Sequence, residues 1–552
     1  MTISLYQVGP QRNRIAFFGP TEVVGTQTFS SRGFDCWEIP HEASPEPSEF
    51  WTVDSVIVSQ DPAKPRNLVN ILEQYAHQLL AADCRIYLRC ATKPLALDQL
   101  GARDLAIKAI DKLKLPTALF SSEDRAKLGK WDEERAIPNH SPYVAFGVDS
   151  ESWDDLAKRI LSNRAGPMPR GAQTVEIIDA RGNLQSCYPE VDILLKRAFF
   201  DCKHVRLHEI GLGKSGPAAY RAFVEPAQSN TGENWPYQYF VKIGDRPIIA
   251  KEVYNYRNTV LQHVPYHLGP RLREDRCVLG GQRGVMVCDY VSNAVTLGKW
   301  AKTGQGAAAI NNLFIHTIAA WRHGDKNEET YDLGNVLRNL LPRNPMLPES
   351  RRAKITALGH DIQHEELHAK LSAYRSLGTL FGTIHGDMHS KNILVRNSEA
   401  ILIDFEKLEE RGTVLMDIAS LEAGLLDDVF WGDGRSAEEL LEFLRPLYCA
   451  KAFERNRLRR PPTEVTNWFY DDVRCIRMNA KTFERQKRQY AWMLATVMLK
   501  KACKDKDQDE VVEGWGKKKD GRTPEDVRAI IYILGAELLC SLFHELTVQN
   551  GN

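Results

Sequence analysis

Between residues 14 and 162 the chain alternates short, almost wholly apolar runs with longer amphipathic stretches, and few folds accept that pattern. The apolar runs are Ile15 to Gly19, Val53 to Ser59, Arg85 to Cys90, Pro116 to Phe120 and the segment YVAFGV from Tyr143. Helical periodicity lies between them, at Asn67 to Ala82, at DLAIKAIDKL from Asp104 and at SWDDLAKRILS from Ser152. A strand that is apolar on both faces needs cover on both, so this part predicts an α/β domain built on a doubly wound parallel sheet. The stretch NRAGPMPRG, 163–171, with its two Pro and two Gly, reads as a linker and places the domain end near residue 165.

The layout of residues 1–165 resembles a flavodoxin-like or response-regulator receiver domain, in topology only. A receiver needs an acidic pair after its first strand, where this chain has Gly19-Pro20-Thr21-Glu22. Asp61, in SQDP, is the one candidate phosphoacceptor after the Val53 to Ser59 run, and as a turn residue before Pro62 it has a plain structural reading as well. No G-x-G-x-x-G follows Ile15, so dinucleotide binding is not expected.

Composition narrows the function classes. The 552 residues carry 72 Lys+Arg against 72 Asp+Glu, so the formal net charge is zero and neither nucleic acid nor an anionic membrane surface is an expected partner. The 11 cysteines form no C-x-x-C pair, which suits thiols in a reducing compartment and predicts a cytoplasmic protein. MTISLYQVGPQRNR lacks a signal-peptide profile, and no run reaches the roughly 18 uninterrupted apolar residues of a spanning helix; Ala529 to Phe543 reads as a buried C-terminal helix.

From about residue 172 the pattern turns β-rich, with strands predicted at VRLHEIG, AAYRAFVE, YQYFVKIG and VMVCDYV and one helix between the last two. After residue 300 it is mainly helical, interrupted near 383–405 by short β-rich runs. The expected domains are therefore 1–165, a β-rich lobe at 172–300 and a helical lobe at 301–552. The charged stretch Lys500 to Asp526 reads as an exposed loop between two C-terminal helices.

Thr383 to Glu406, TIHGDMHSKNILVRNSEAILIDFE, carries the chemistry. Read as a strand-loop-strand hairpin, it brings two carboxylates and an amide together as hard oxygen ligands, which suits Mg²⁺ at Asn392 and Asp404. Asp387, five residues before Asn392, is then free to accept a proton from an attacking hydroxyl. His385-Gly386-Asp387-Met388-His389-Ser390-Lys391-Asn392 with Ile403-Asp404-Phe405-Glu406 resembles the aminoglycoside phosphotransferase and choline kinase superfamily, related to the protein kinases. Ser390 and Lys391 stand where that family often has Pro-Gly.

The resemblance implies a two-lobe protein-kinase-like fold that binds ATP with Mg²⁺, and it implies upstream parts as well. Gly211, Gly213, Ser215 and Gly216, in IGLGKSGPAAY, would cover phosphates; His208 replaces the glycine a Walker A loop needs. Lys242, with Lys251 as its competitor, would hold the α- and β-phosphates, and Glu252, at the start of KEVYNYRNTVLQHV, would pair with it. Val285 to Val291 falls where backbone groups would meet adenine. Asp417, in VLMDIASLE, resembles the family's structural Asp, as a helix N-cap or a brace for the catalytic loop. The segment VKIG to KEVYNYRNTV also resembles phosphotransferase-like domains of bacterial conflict systems.

Two other features have readings of their own. Tyr490, Met493, Leu494 and Val497 have helical spacing and predict bundle core. His364-Glu365-Glu366-Leu367-His368 spells H-E-x-x-H, a zinc-hydrolase motif with Glu365 as base, against the simpler reading of a polar surface helix.

The expected activity is transfer of the γ-phosphate of ATP to a hydroxyl of a small molecule or protein, with Asp387 as proton acceptor. The alternative from another class is a pseudokinase scaffold that binds nucleotide and recruits a protein through residues 1–165.

Overall fold

A computed structural model of the chain describes residues 12–19, 23–40, 43–59, 67–89, 102–118, 143–146, 152–162, 164–211, 217–227, 237–322, 332–341, 347–375, 378–429, 435–454, 467–503 and 523–550. The chain divides into two compact units, Met1–Val253 with Leu272–Tyr290, and Tyr254–Arg271 with Val291–Asn552.

The first unit opens with β1 (Arg14–Phe18), α1 (Val23–Ser30), β2 (Asp35–Ile39), β3 (Val53–Ser59), α2 (Asn67–Ala81), β4 (Arg85–Arg89), α3 (Ala102–Lys112), β5 (Thr117–Ala118), β6 (Val144–Phe146) and α4 (Trp153–Ser162). Every pairing is parallel, in the order β2-β1-β3-β4-β6-β5, so the doubly wound sheet expected from the sequence is present. Phe17 and Phe18 show why its strands are apolar throughout. Phe18 joins Val56, Val58 and Leu88 in the core beneath α2 and α3, while Phe17 joins Ile57 and Tyr87 against Phe29 and Trp153 of α1 and α4. Strand β2 escapes a sequence reading because it is an edge strand: DCWEI buries only its last residue fully. The order departs from the flavodoxin order at the far side, where β6 lies between β4 and β5. Asp61 lies outside the described residues.

The same unit continues with β7 (Thr174–Ile178), β8 (Leu184–Gln185), α5 (Pro189–Ala198), β9 (Cys202–Gly211), β10 (Ala218–Pro226), β11 (Tyr237–Asp245), α6 (Arg246–Asn255), β12 (Val278–Leu279) and β13 (Arg283–Asp289). They form a seven-stranded sheet, β12-β13-β11-β10-β9-β7-β8, in which only the β7–β9 pairing is parallel. All four strands expected from the sequence are present; β7, β8, β12 and α5 are additions. Leu194, Leu195 and Ala198 of α5 cover Val205, Leu207, Val224, Val241 and Val285 of the sheet. Ala81 and Ala82, at the end of α2, belong to that same core.

The second unit holds β14 (Val295–Thr296), α7 (Gly306–Asn312), α8 (Leu333–Leu340), α9 (Glu349–Ala357), α10 (His364–Ala373), β15 (Phe381–Ile384), β16 (Ile393–Arg396), β17 (Glu399–Leu402), β18 (Glu409–Thr413), α11 (Val414–Val429), α12 (Ala437–Leu444), α13 (Asn467–Lys481), α14 (Gln489–Ala502) and α15 (Pro524–Asn550). Helix α14 packs between α11 and α15 and is buried almost all round, so Tyr490, Met493, Leu494 and Val497 are bundle core as their spacing predicts. Helix α15 contains the buried C-terminal stretch from Ala529 that the sequence predicts. Its stretch Glu525–Val548 is long and apolar enough to cross a membrane by length and composition, although 61% of that apolar window is buried inside the chain.

Candidate active site

Each unit carries its own part of the predicted machinery. In the first, β11 is a central strand paired with β10 and β13, and Lys242 sits within it opposite Ala219 and Met286. The Lys242 ammonium donates to Glu252 Oε2 of α6 at 2.6 Å, with both side chains buried. An ammonium and a carboxylate persist in such a place only as a pair, because either one alone would keep its full desolvation cost. The helix that presents Glu252 begins at Arg246, five residues before the sequence pattern KEVYNYRNTVLQHV starts. Lys251, the competitor, is exposed on α6.

Gly211 closes β9, while Gly213, Ser215 and Gly216 lie outside the described residues. Val285 to Asp289 is strand, and the Val287 carbonyl already accepts the Arg273 N–H at 2.8 Å.

In the second unit the loop from His385 to Asn392 does not turn one hairpin back on itself, as the sequence reading had it. Strand β15, before the loop, pairs with β18, and β16, after it, pairs with β17 and β14. The tight hairpin is β16–β17, turned by Asn397 and Ser398, both in the left-handed region with φ of 52° and 65°. The loop is thus strung between two sheets, and side chains hold it. Asp417, in the first turn of α11, accepts the backbone N–H of His385 at 2.7 Å and of Gly386 at 3.0 Å. Of its two expected roles, the brace is the one observed. Gly386 has a φ of 76°, and a Cβ there would lie 2.1 Å from the Lys407 carbonyl, so only glycine fits. His385, fully buried, meets the Ile403 carbonyl at 2.9 Å and lies against Phe405.

Asn392 is nearly buried, and its Nδ2 donates to the Asp387 carbonyl at 3.0 Å. That bond assigns the amide's orientation and leaves its oxygen as the available ligand atom. The Asn392 carbonyl also accepts the Ile403 N–H at 3.0 Å, which sets Asn392 beside the strand end that carries Asp404. Asp404 has a φ of 67°, a left-handed conformation uncommon for a residue with a Cβ. An amide oxygen and a carboxylate suit a hard divalent cation. Among the described residues no group of three or more His, Cys, Asp or Glu could hold a metal ion.

Several participants were not singled out from sequence. Lys407 donates to Asp387 Oδ2 at 2.7 Å. Burial opposes the Lys407 charge, yet the Asp387 hydrogen bond and the charges of Asp387, Glu406 and Asp404 together raise the lysine's pKa. Ser390, where the family often has proline, donates to Asp428 Oδ2. Burial holds the His389 imidazole down at about 4, so it is neutral at pH 7 and its Nδ1 accepts the Lys391 N–H. Within the second unit, to which the last two residues of α6 belong, Asn255 Nδ2 donates to the Phe405 carbonyl at 2.8 Å, and Tyr256 meets the Phe405 ring edge-on. No sequence signal marks the partners Lys407, Asp428, Asn255 and Tyr256, because their contacts here lie 20 or more positions apart in the chain.

The H-E-x-x-H motif lies on α10 with His364 and Leu367 buried, so the helix is not the polar surface helix of the simpler reading. His364 is buried on α10 with Nδ1 3.0 Å from the Tyr532 hydroxyl and its ring stacked on that of Tyr532.

Residues 361–504 match a family model described as ternary complex associated domain 9. No match is found among curated proteins. Among solved structures, the chain is similar to a thermostable mutant of aminoglycoside phosphotransferase APH(4)-Ia, at 12% identity and a TM-score of 0.30 over 61% of this chain and 94% of the other. It is also similar to amicoumacin kinase hAmiN, solved with AMP-PNP and Ca²⁺, at 12% identity and a TM-score of 0.32 over 61% and 91% of the two chains. Glucosamine kinase, solved with glucosamine, ADP and inorganic phosphate, is similar at 13% identity and a TM-score of 0.32 over 62% and 95%.

Proposed function

We propose that the chain is a phosphotransferase that moves the γ-phosphate of ATP, with Mg²⁺, to a hydroxyl of a small molecule or protein. The observation that carries this reading is the catalytic loop: Asp417 fixes its entry, Asn392 its exit, and Asp387 is held between them with its carboxylate on Lys407. Such bracing is what a positioned proton acceptor needs, since in phosphoryl transfer placement and charge stabilisation supply most of the rate.

In this proposal Asp387 accepts the acceptor hydroxyl's proton, and Asn392 and Asp404 hold Mg²⁺. Bound there, the cation would supply charge neutralisation on the phosphate oxygens. Lys242, aligned by Glu252, would meet the α- and β-phosphates. Gly211, Gly213, Ser215 and Gly216 would line the phosphate-covering loop. A cytoplasmic setting belongs to the same proposal and rests on the scattered cysteine spacing, which forms no C-x-x-C pair.

The test is transfer of labelled γ-phosphate from ATP, with and without Mg²⁺, in wild type and Asp387→Ala, counting released phosphate and label on candidate acceptors. Mg²⁺-dependent turnover that disappears in Asp387→Ala is expected. Tight nucleotide binding with no turnover on any alcohol or protein acceptor would give the scaffold reading instead.

A further inference from the structure

The turn between β12 and β13 is gripped from two sides within the first unit. On one side stands the α/β domain with helix α5. Arg197 Nη1 donates both to the Ala81 carbonyl at the end of α2, at 2.6 Å, and to the Leu279 carbonyl in the turn, at 3.2 Å. Its Nη2 lies 3.3 Å from Asp83 Oδ1. Glu190 Oε1 accepts the N–H groups of Gln282 and Arg283 at 2.9 and 3.2 Å. Gly280 and Gly281 allow the approach: a Cβ on Gly280 would lie 3.4 Å from Ala81 Cα, and one on Gly281 would lie 3.2 Å from His77 Cα.

On the other side the same turn holds the start of α6. The Arg246 N–H donates to the Gln282 carbonyl at 2.8 Å, and its guanidinium donates to the Gly280 carbonyl. Ile249, fully buried one turn along α6, sits over Gly284, where a Cβ would come within 2.9 Å of it. Glu252 follows three residues later and meets Lys242, whose strand pairs with β13 through Lys242↔Met286.

We infer that the N-terminal α/β domain is a positioning element for the Lys242–Glu252 pair, acting through the turn Leu279–Arg283 on the helix that carries Glu252. This goes beyond the phosphotransferase reading but rests on it for its consequence in nucleotide use. Coupling between sites travels through packed elements that both sites bias, and here one five-residue turn is shared by the domain and the helix. Arg246, His77 and Glu190 are positioning residues, since none of them is placed on substrate.

The experiment uses the full chain with Glu190→Ala, His77→Ala, Arg246→Met and, as conservative rescue, Arg246→Lys. It reads amide hydrogen exchange together with KM for ATP and kcat. Expected are about tenfold faster exchange over 246–255 and about tenfold higher KM in the first three variants, with kcat within about twofold and β1 and β3 exchanging as in wild type. Arg246→Lys should restore both values. Faster exchange at Gln282 and Arg283 with α6 and KM unchanged would overturn the inference. If Glu190→Ala unfolds, His77→Ala, at a half-buried position of α2, carries the same decision. If wild type transfers no phosphate, the exchange of α6 still decides the coupling, so the two readings fail separately.

Discussion

Asp417 Oδ2 accepts the backbone N–H of His385 at 2.7 Å while its Oδ1 accepts that of Gly386 at 3.0 Å, so one buried carboxylate sets the path of the loop that carries Asp387. Asp417→Ala leaves the buried His385 N–H and the part-buried Gly386 N–H without this acceptor, at a cost of up to about 1–3 kcal/mol each. We expect a clear drop in Tm by calorimetry and loss of transfer even where the protein remains folded. Wild-type turnover in a folded Asp417→Ala protein would argue against the brace.

The Lys242–Glu252 pair should behave differently when broken from one side or removed altogether. Glu252→Gln or Lys242→Met alone strands a buried charge or its partner, and about 3–5 kcal/mol of stability should be lost. The double variant Lys242→Met with Glu252→Gln should recover much of that stability in denaturant melts without recovering transfer. Recovery of both would remove Lys242 from nucleotide binding.

Lys407 is half-exposed, so its ion pair with Asp387 contributes less than about 1 kcal/mol to stability. Lys407→Ala should therefore melt within a few degrees of wild type. Its transfer rate should nevertheless fall at least about tenfold, because the Asp387 carboxylate loses the group that orients it. An unchanged rate would make Lys407 a surface charge only.

Asp472, on α13, is 1% exposed with Oδ2 lacking a hydrogen-bond partner, and burial followed by the nearby Asp471 charge pushes its pKa up to about 8. The folded state therefore binds this proton more tightly than the unfolded chain, whose carboxyl titrates near 3.9. The resulting stabilisation is complete below about pH 4 and is lost as pH rises towards 8. Asp472→Asn removes the titration, so it should raise Tm more at pH 8 than at pH 5; equal shifts at both values would contradict the assignment.

His364→Ala should cost about 1 kcal/mol through the lost contact with the Tyr532 hydroxyl and leave metal content unchanged. Stoichiometric zinc in the wild type, lost in this variant, would revive the H-E-x-x-H reading.

Much of the fold is legible locally. The runs at Val53 to Ser59 and Asn67 to Ala82 announce β3 and α2 almost to the residue, because continuous apolarity and 3.6-residue periodicity are properties of the chain itself. Strand β2 and helix α5 are not legible in that way. Edge strand β2 keeps Asp35 and Glu38 on its partly wet surface, and α5 is amphipathic only against a sheet that the sequence does not display.

At the candidate site, sequence alone determined which residues could do the chemistry: Asp387, Asn392 and Asp404 by spacing, Lys242 and Glu252 by order along the chain. Tertiary structure decided how they are held. The Lys242–Glu252 bond, the two N–H groups on Asp417, the Lys407 partner of Asp387 and the shared turn at Gly280-Gly281 all join residues ten to about two hundred positions apart. A local pattern reports what a residue can form with its neighbours in sequence, whereas these contacts exist only because strand pairing and core burial have already fixed the backbone around them.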